Sequence, residues 1–193
     1  VSFTGSVPTG ERILATATPQ RTRVQLEMGG KNPLVVLDDA DLDVAVDVAL
    51  QGAFGSTGQR CTASSRLVVT RGIHDRFVAA LTDRMRAWRV DDARAAGTHM
   101  GPVVDAGQLA QDERYLTVAR DEGGEVIGGD RVERAADGHY LAPALVVGTN
   151  STMTVNREEV FGPVASVIEV ADYDEALAVA NDTEFGLSSG IVT

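Results

Sequence analysis

The 193-residue chain has a single cysteine, Cys61. No internal disulfide is possible, and no cluster of thiolates can hold a structural metal. Its three histidines, His74, His99 and His139, are scattered without paired spacing, so no metal site is expected. Positive charge is scarce: 17 lysines and arginines face 28 acidic residues, and the net charge is −11. That balance works against binding nucleic acid or an anionic membrane. The most basic stretch, Arg84-Met85-Arg86-Ala87-Trp88-Arg89, reads as a solvated helix face. No apolar run reaches membrane-spanning length and no signal peptide is visible, so the expected compartment is the cytoplasm.

What is present suits one α/β domain with a core, or one domain plus part of another. Apolar patterning predicts strands at Val1–Thr4, Arg23–Glu27, Leu34–Leu37, Leu67–Thr70, Glu125–Ile127, Leu145–Val147 and Val164–Val170. Helical spacing predicts helices over 11–18, from Leu42 to Phe54, and over 73–89, 108–122 and 173–181, with a loop at 5–10. The alternation argues for a mostly parallel sheet flanked by helices, with ligand sites at the carboxyl ends of its strands. Val1–Thr4 and Gly190–Thr193 both read as strands, so both ends of the chain are expected to be cut.

Two short segments carry chemistry. Cys61 follows a helix and a glycine-bearing turn in Phe54-Gly55-Ser56-Thr57-Gly58-Gln59-Arg60-Cys61. Alone, it reads as a buried thiol packing as a small hydrophobe. Arg60 would favour the thiolate if its side chain turned toward the sulfur. Glu27 closes a short strand in Leu26-Glu27-Met28-Gly29-Gly30-Lys31-Asn32-Pro33. Alone, it reads as a solvated strand-end carboxylate. A strand and a helix separate the two, enough chain to go out and return to one edge of the sheet. Facing one cleft, a thiolate can attack a carbonyl carbon and a carboxylate can activate the water that releases the acyl group.

Over its whole length the chain resembles the aldehyde dehydrogenase superfamily. Leu26–Pro33 is similar to that family's glutamate signature, and Phe54–Cys61 to its cysteine signature. Phe3-Thr4-Gly5-Ser6-Val7-Pro8-Thr9-Gly10 resembles its cofactor loop, and Glu158-Glu159-Val160-Phe161-Gly162-Pro163 a second cofactor-contacting segment. Ala180–Leu187 resembles a later family stretch, and Ser56–Leu67 looks like the α-ketoglutaric semialdehyde dehydrogenase subgroup.

The resemblance implies an aldehyde dehydrogenase-like fold. Residues 1–27 would be the end of a Rossmann-like NAD(P)-binding domain, and 28–193 a C-terminally truncated catalytic domain. It implies that Cys61 is the nucleophile and Glu27 the general base. Gly5 and Ser6 would lie by the pyrophosphate of NAD or NADP. Glu159 would hold the nicotinamide ribose, and Phe161 would pack near the nicotinamide. Lys31 and Asn32 read as structural. The substrate would be a small aldehyde oxidised to an acid, and the assembly a homo-oligomer, dimer or tetramer. Family members are longer, so the isolated chain is expected to be inactive. It lacks the asparagine that completes the oxyanion hole and the residues that hold the adenosine ribose. Arg60 and Arg66 raise recognition of a carboxylated aldehyde; exposed arginines, or salt bridges to acidic residues, are the simpler reading. A CoA-acylating relative and a non-catalytic protein retaining the fold stay open as alternatives.

Overall fold

The computed structural model describes residues 1–193. Two sheets organise it. The smaller pairs β1 (Ser2–Thr4) in parallel with β2 (Gln25–Glu27), joined by helix α1 (Val7–Ala17). The larger has six strands in the order β5-β6-β7-β4-β3-β8. Its strands are β3 (Asn32–Val36), β4 (Ser64–Thr70), β5 (Glu125–Gly128), β6 (Ala144–Thr149), β7 (Val164–Val170) and β8 (Gly190–Val192). Every pairing is parallel except the edge pair β5–β6.

Alternation along the strands sends side chains to two faces. On one face Leu34, Val36, Leu67, Val69, Ala165 and Val167 pack with α2 (Leu42–Phe54) and α3 (Arg71–Arg86), which bring Ala45, Ala49, Phe54, Phe77 and Leu81. On the other, Val35, Val68 and Ile168 receive Ala176 of α6 (Tyr173–Asn181). Beside α6, helix α4 (Ala106–Asp121) lays Tyr115, Leu116 and Ala119 on Ala144, Val146 and Val164, together with Val155 of the short helix α5 (Thr154–Arg157). Helix starts are capped where the sequence supplies an aspartate: the Asp41 carboxylate accepts from the Asp43 and Val44 amides, and Asp105 and Asp172 act likewise at α4 and α6.

The expected elements occur, with informative shifts. Val164–Val170 and Tyr173–Asn181 are as read. Helix α1 begins at Val7, inside the stretch expected to be loop, because proline is tolerated in a first helical turn. The helix over 73–89 instead spans Arg71–Arg86, so Arg89 lies beyond its end.

Arg66 overturns the expectation of an exposed or ion-paired arginine. It is 0 % exposed on β4. Its Nε donates to the Lys31 carbonyl at 2.9 Å, Nη1 to Val179 at 3.0 Å and Nη2 to Ala180 at 2.9 Å. The charge sits on the last carbonyls of α6, where a cation complements the helix dipole. One side chain thereby ties the entry of β3 to β4 and α6. Replacing Arg66 with Leu strands three carbonyls and is expected to cost roughly 3 kcal/mol. Urea unfolding of the 193-residue chain measures it, and a loss within experimental error would show that the carbonyls find other partners.

Candidate functional site

Backbone hydrogen bonds and close approaches connect the segments that carry the six residues singled out by sequence. Gly5 follows β1 and donates from its backbone to the Glu27 carbonyl at 3.0 Å. Glu27 ends β2, and its side chain is exposed. Ser6 caps the start of α1 without a side-chain bond to the helix amides; its hydroxyl goes to Thr9 at 3.1 Å. The first amides of that 11-residue helix therefore keep no side-chain partner from the cap.

The chain then passes Met28 and enters the glycine pair. A Cβ on Gly29 would lie 1.9 Å from Glu159 Oε2, and one on Gly30 would lie 3.0 Å from the Cys61 carbonyl oxygen. The missing side chains are what let the Glu159 carboxylate and the Cys61 backbone approach from two sides. The Gly30 amide donates to Glu159 Oε1 at 3.2 Å. The two adjacent glutamates separate here: Glu158 accepts from the Tyr115 hydroxyl at 2.6 Å, whereas Glu159 turns to the glycine pair.

Cys61 is exposed, which overturns the reading of a buried, packing thiol. It follows a turn in which Ser56, Thr57 and Gly58 all adopt left-handed backbone, with φ of 55°, 59° and 64°. Phe161 is left-handed as well, at φ 58°, and its ring is 38 % exposed. Non-glycine residues held in this region store backbone strain, and such strain gathers at functional sites. The two strained segments interlock: a Cβ on Gly58 would sit 2.1 Å from the Gly162 carbonyl oxygen.

The location corrects one expectation. Gly30–Asn32, Cys61 and Phe161–Gly162 lead into β3, β4 and β7, so they lie at the amino ends of the large sheet's parallel strands. The carboxyl-end rule is met by the small sheet, where Gly5 follows β1 and Glu27 is the last residue of β2. The site is the seam between the carboxyl edge of one sheet and the amino edge of the other.

The chain matches the Aldehyde dehydrogenase family over residues 1–193. The chain belongs to the aldehyde dehydrogenase family. It is 43% identical over 196 residues to a betaine aldehyde dehydrogenase of Brucella ovis. That alignment takes 100% of the chain but 40% of the relative, so the chain spans about two fifths of its length. The crystal structure of betaine aldehyde dehydrogenase from Staphylococcus aureus in complex with NAD+ superposes with a TM-score of 0.97 at 39% identity, covering 100% of this chain and 39% of that one. A structure of 3,6-anhydro-L-galactose dehydrogenase in complex with NAP gives a TM-score of 0.97 at 37% identity, covering 100% and 41%.

In this aldehyde dehydrogenase chain, Asn32 has the structural role expected of it. It is 3 % exposed. Its Nδ2 donates to the carbonyls of Cys61 at 2.8 Å and Ala63 at 2.9 Å, and its Oδ1 accepts from the Ser188 amide at 3.0 Å. All three amide valences used here go to backbone, so Asn32 fixes the path of the cysteine turn. Arg60 turns back to α2: its Nη2 donates to the carbonyls of Gln51 at 2.8 Å and Gly52 at 3.0 Å, while its buried Nε has no hydrogen-bond partner.

Lys31 is 2 % exposed. Burial, helped by the nearby Arg66 charge and opposed by Glu159 and Glu158, lowers its pKa from 10.5 to about 7. Glu159 is raised above the usual carboxylate range by its own burial, against the Gly30 amide and Lys31. Between about 7 and 10.5 the unfolded chain holds a proton that folded Lys31 lacks. Stability relative to a Lys31→Met variant is therefore expected to rise as pH climbs through that window. Urea unfolding of both chains at either end of the window checks this, and an unchanging difference would contradict a depressed lysine.

Proposed function

We propose that this chain carries the cysteine-bearing half of an NAD(P)-dependent aldehyde oxidation to a carboxylic acid. The observation that carries the reading is the exposed Cys61, its backbone pinned against Gly30, three residues after the exposed Glu27. Residues 1–27 are read as the end of a dinucleotide-binding domain and 28–193 as the catalytic domain, in a cytoplasmic protein that assembles as a dimer or tetramer.

The residues present suit the nicotinamide end of the cofactor. Glu159 offers carboxylate oxygens to ribose hydroxyls, and the strained, exposed Phe161 offers a ring edge or face. Gly5 and Ser6 lead into the α1 amino terminus, where N–H groups suit an anion such as pyrophosphate. When bound, the cofactor supplies the hydride acceptor that converts the cysteine adduct into a thioester.

The chain's own residues do the rest. The Cys61 thiolate attacks the aldehyde carbon to give a thiohemiacetal. The Cys61 N–H serves as one oxyanion donor, worth roughly 3 kcal/mol where charge develops. Glu27 then takes a proton from water, whose oxygen attacks the thioester carbon. The carbon–sulfur bond breaks, the acid leaves, and the thiolate is restored. Glu27 supports hydrolysis over transfer to CoA, because a CoA thiol needs no water-activating carboxylate.

Substrate identity rests on less. The run Ser56–Leu67 supports a semialdehyde such as α-ketoglutaric semialdehyde. The similarity to betaine aldehyde dehydrogenases makes betaine aldehyde an equal member of a test panel, and Arg66 is not free to grip a substrate carboxylate, since all three of its guanidinium nitrogens donate to carbonyls.

The test measures NAD and NADP reduction with an aldehyde panel, with and without CoA. It uses the 193-residue chain and a version joined to the preceding dinucleotide-binding segment of a relative. Turnover only in the joined protein, with acid as product, is the expected result. Cys61→Ala should then lower kcat by roughly 10⁴-fold, and Glu27→Gln by about 10²–10⁴-fold. Acyl-CoA as sole product, or turnover unaffected by Glu27→Gln, overturns the hydrolytic reading.

A further inference from the structure

Helix α4 grips the segment that carries Glu159 and Phe161. Gln108 Nε2 donates to the Val160 carbonyl at 3.1 Å, and Gln111 Nε2 to the same oxygen at 2.9 Å. Tyr115 donates to Glu158. Between them stands Asp112, which is 0 % exposed. Its Oδ1 accepts from Gln108 at 2.7 Å, while its Oδ2 is buried without any hydrogen-bond partner. Asp112 presses directly on Gly162: a Cβ there would lie 1.9 Å from Oδ1. Gly162 in turn rests its carbonyl on Gly58, three residues before Cys61. A fully buried acid touching backbone through a bare glycine is not explained by core packing.

We propose that Asp112 is a positioning residue for the cofactor end of the site: through Gly162 it sets the path of residues 158–162, and so the placement of Glu159 and Phe161 beside Cys61. The link to the cofactor rests on the reading of function above; the grip on the segment does not.

The chemistry of the contact gives the proposal a distinctive signature. A carboxylate with one buried, unpartnered oxygen is costly, whereas the neutral acid is tolerated. Burial raises Asp112 from 3.8 to about 7, opposed by the Gln108 hydrogen bond and aided by Glu113. The groups around it add no compensating cation. On its own helix Glu113 is paired with Arg131, and Arg114 lies over the Tyr115 ring. Across from it, residues 160–162 present backbone, with Glu158 bonded to Tyr115 and Glu159 to Gly30. The 55–58 turn behind Gly162 bears no charged side chain. A carboxyl raised in the folded state stabilises below its unfolded value and loses that contribution as pH rises through the folded one. Ionised Asp112 leaves a charged, buried and unpartnered Oδ2 pressed against Gly162, so the segment is expected to loosen above about pH 7.

Hydrogen exchange of the peptide spanning 158–163, corrected for the intrinsic pH dependence, tests this on the 193-residue chain. Between pH 6 and 8 the wild type is expected to lose roughly tenfold protection in that peptide. Asp112→Asn and Asp112→Leu, which cannot ionise, should show no such loss. Equal loss in the variants, or a loss spread evenly over β4 and α3, overturns the proposal. In the joined, active protein the same titration should appear as a rise in KM for the cofactor at unchanged kcat, absent in Asp112→Asn. A pH-dependent segment without aldehyde oxidation defeats the functional reading alone; oxidation with an indifferent segment defeats this proposal alone.

Discussion

The approach of Gly162 to Gly58 is the constraint on which the site depends. Helix α2 must stop, reverse and deliver Cys61 to the edge of β4, and it does so through three left-handed residues in succession. That reversal leaves no room at Gly58, where the Gly162 carbonyl on one side and the Ala53 carbonyl on the other fill the position of a side chain. Because Gly162 belongs to the segment of Glu159 and Phe161, the turn that leads to Cys61 and that segment cannot move independently. Asn32 closes the arrangement from the third side by holding the Cys61 and Ala63 carbonyls.

Placing the site on a seam between two sheets explains why its residues come from opposite strand ends. The glycine pair bends the chain from β2 into β3 over four residues, Met28 to Lys31, and sets the segment that follows Glu27 against the Cys61 backbone. The large sheet is stiff where this matters. Both of its central faces are packed, and Arg66 clamps the entries of β3 and β4 to the end of α6. Preorganised donors and acceptors cost little reorganisation during reaction, which is what such rigidity provides.

Much of this was legible in the sequence, for physical reasons. Val164–Val170 is an apolar run rich in residues branched at Cβ, and Tyr173–Asn181 opens on an aspartate cap, so both read at their boundaries. The signature glycines announced close backbone approach, although what approaches them is visible only in three dimensions. The start of β3 was read late because Asn32 and Pro33 are poor strand formers; Asn32 sits there for its side chain. Gly10 read as a turn residue, yet it lies within α1 because Met28 occupies the space of its side chain. Arg66 could not be read at all, since its partners Val179 and Ala180 lie 113 and 114 residues away. Asp112 was equally silent, its meaning set by a glycine on another segment.

The central claim is that Cys61 and Glu27 form one acyl-transfer pair, and an activated ester tests it without a hydride acceptor. The 193-residue chain would be mixed with p-nitrophenyl acetate and followed by intact and peptide mass spectrometry. The account predicts that a Glu27→Gln chain accumulates one acetyl group, located on Cys61, which the wild-type chain forms and then hydrolyses. Acetylation elsewhere, or an acetyl-Cys61 that persists equally in both chains, would contradict it.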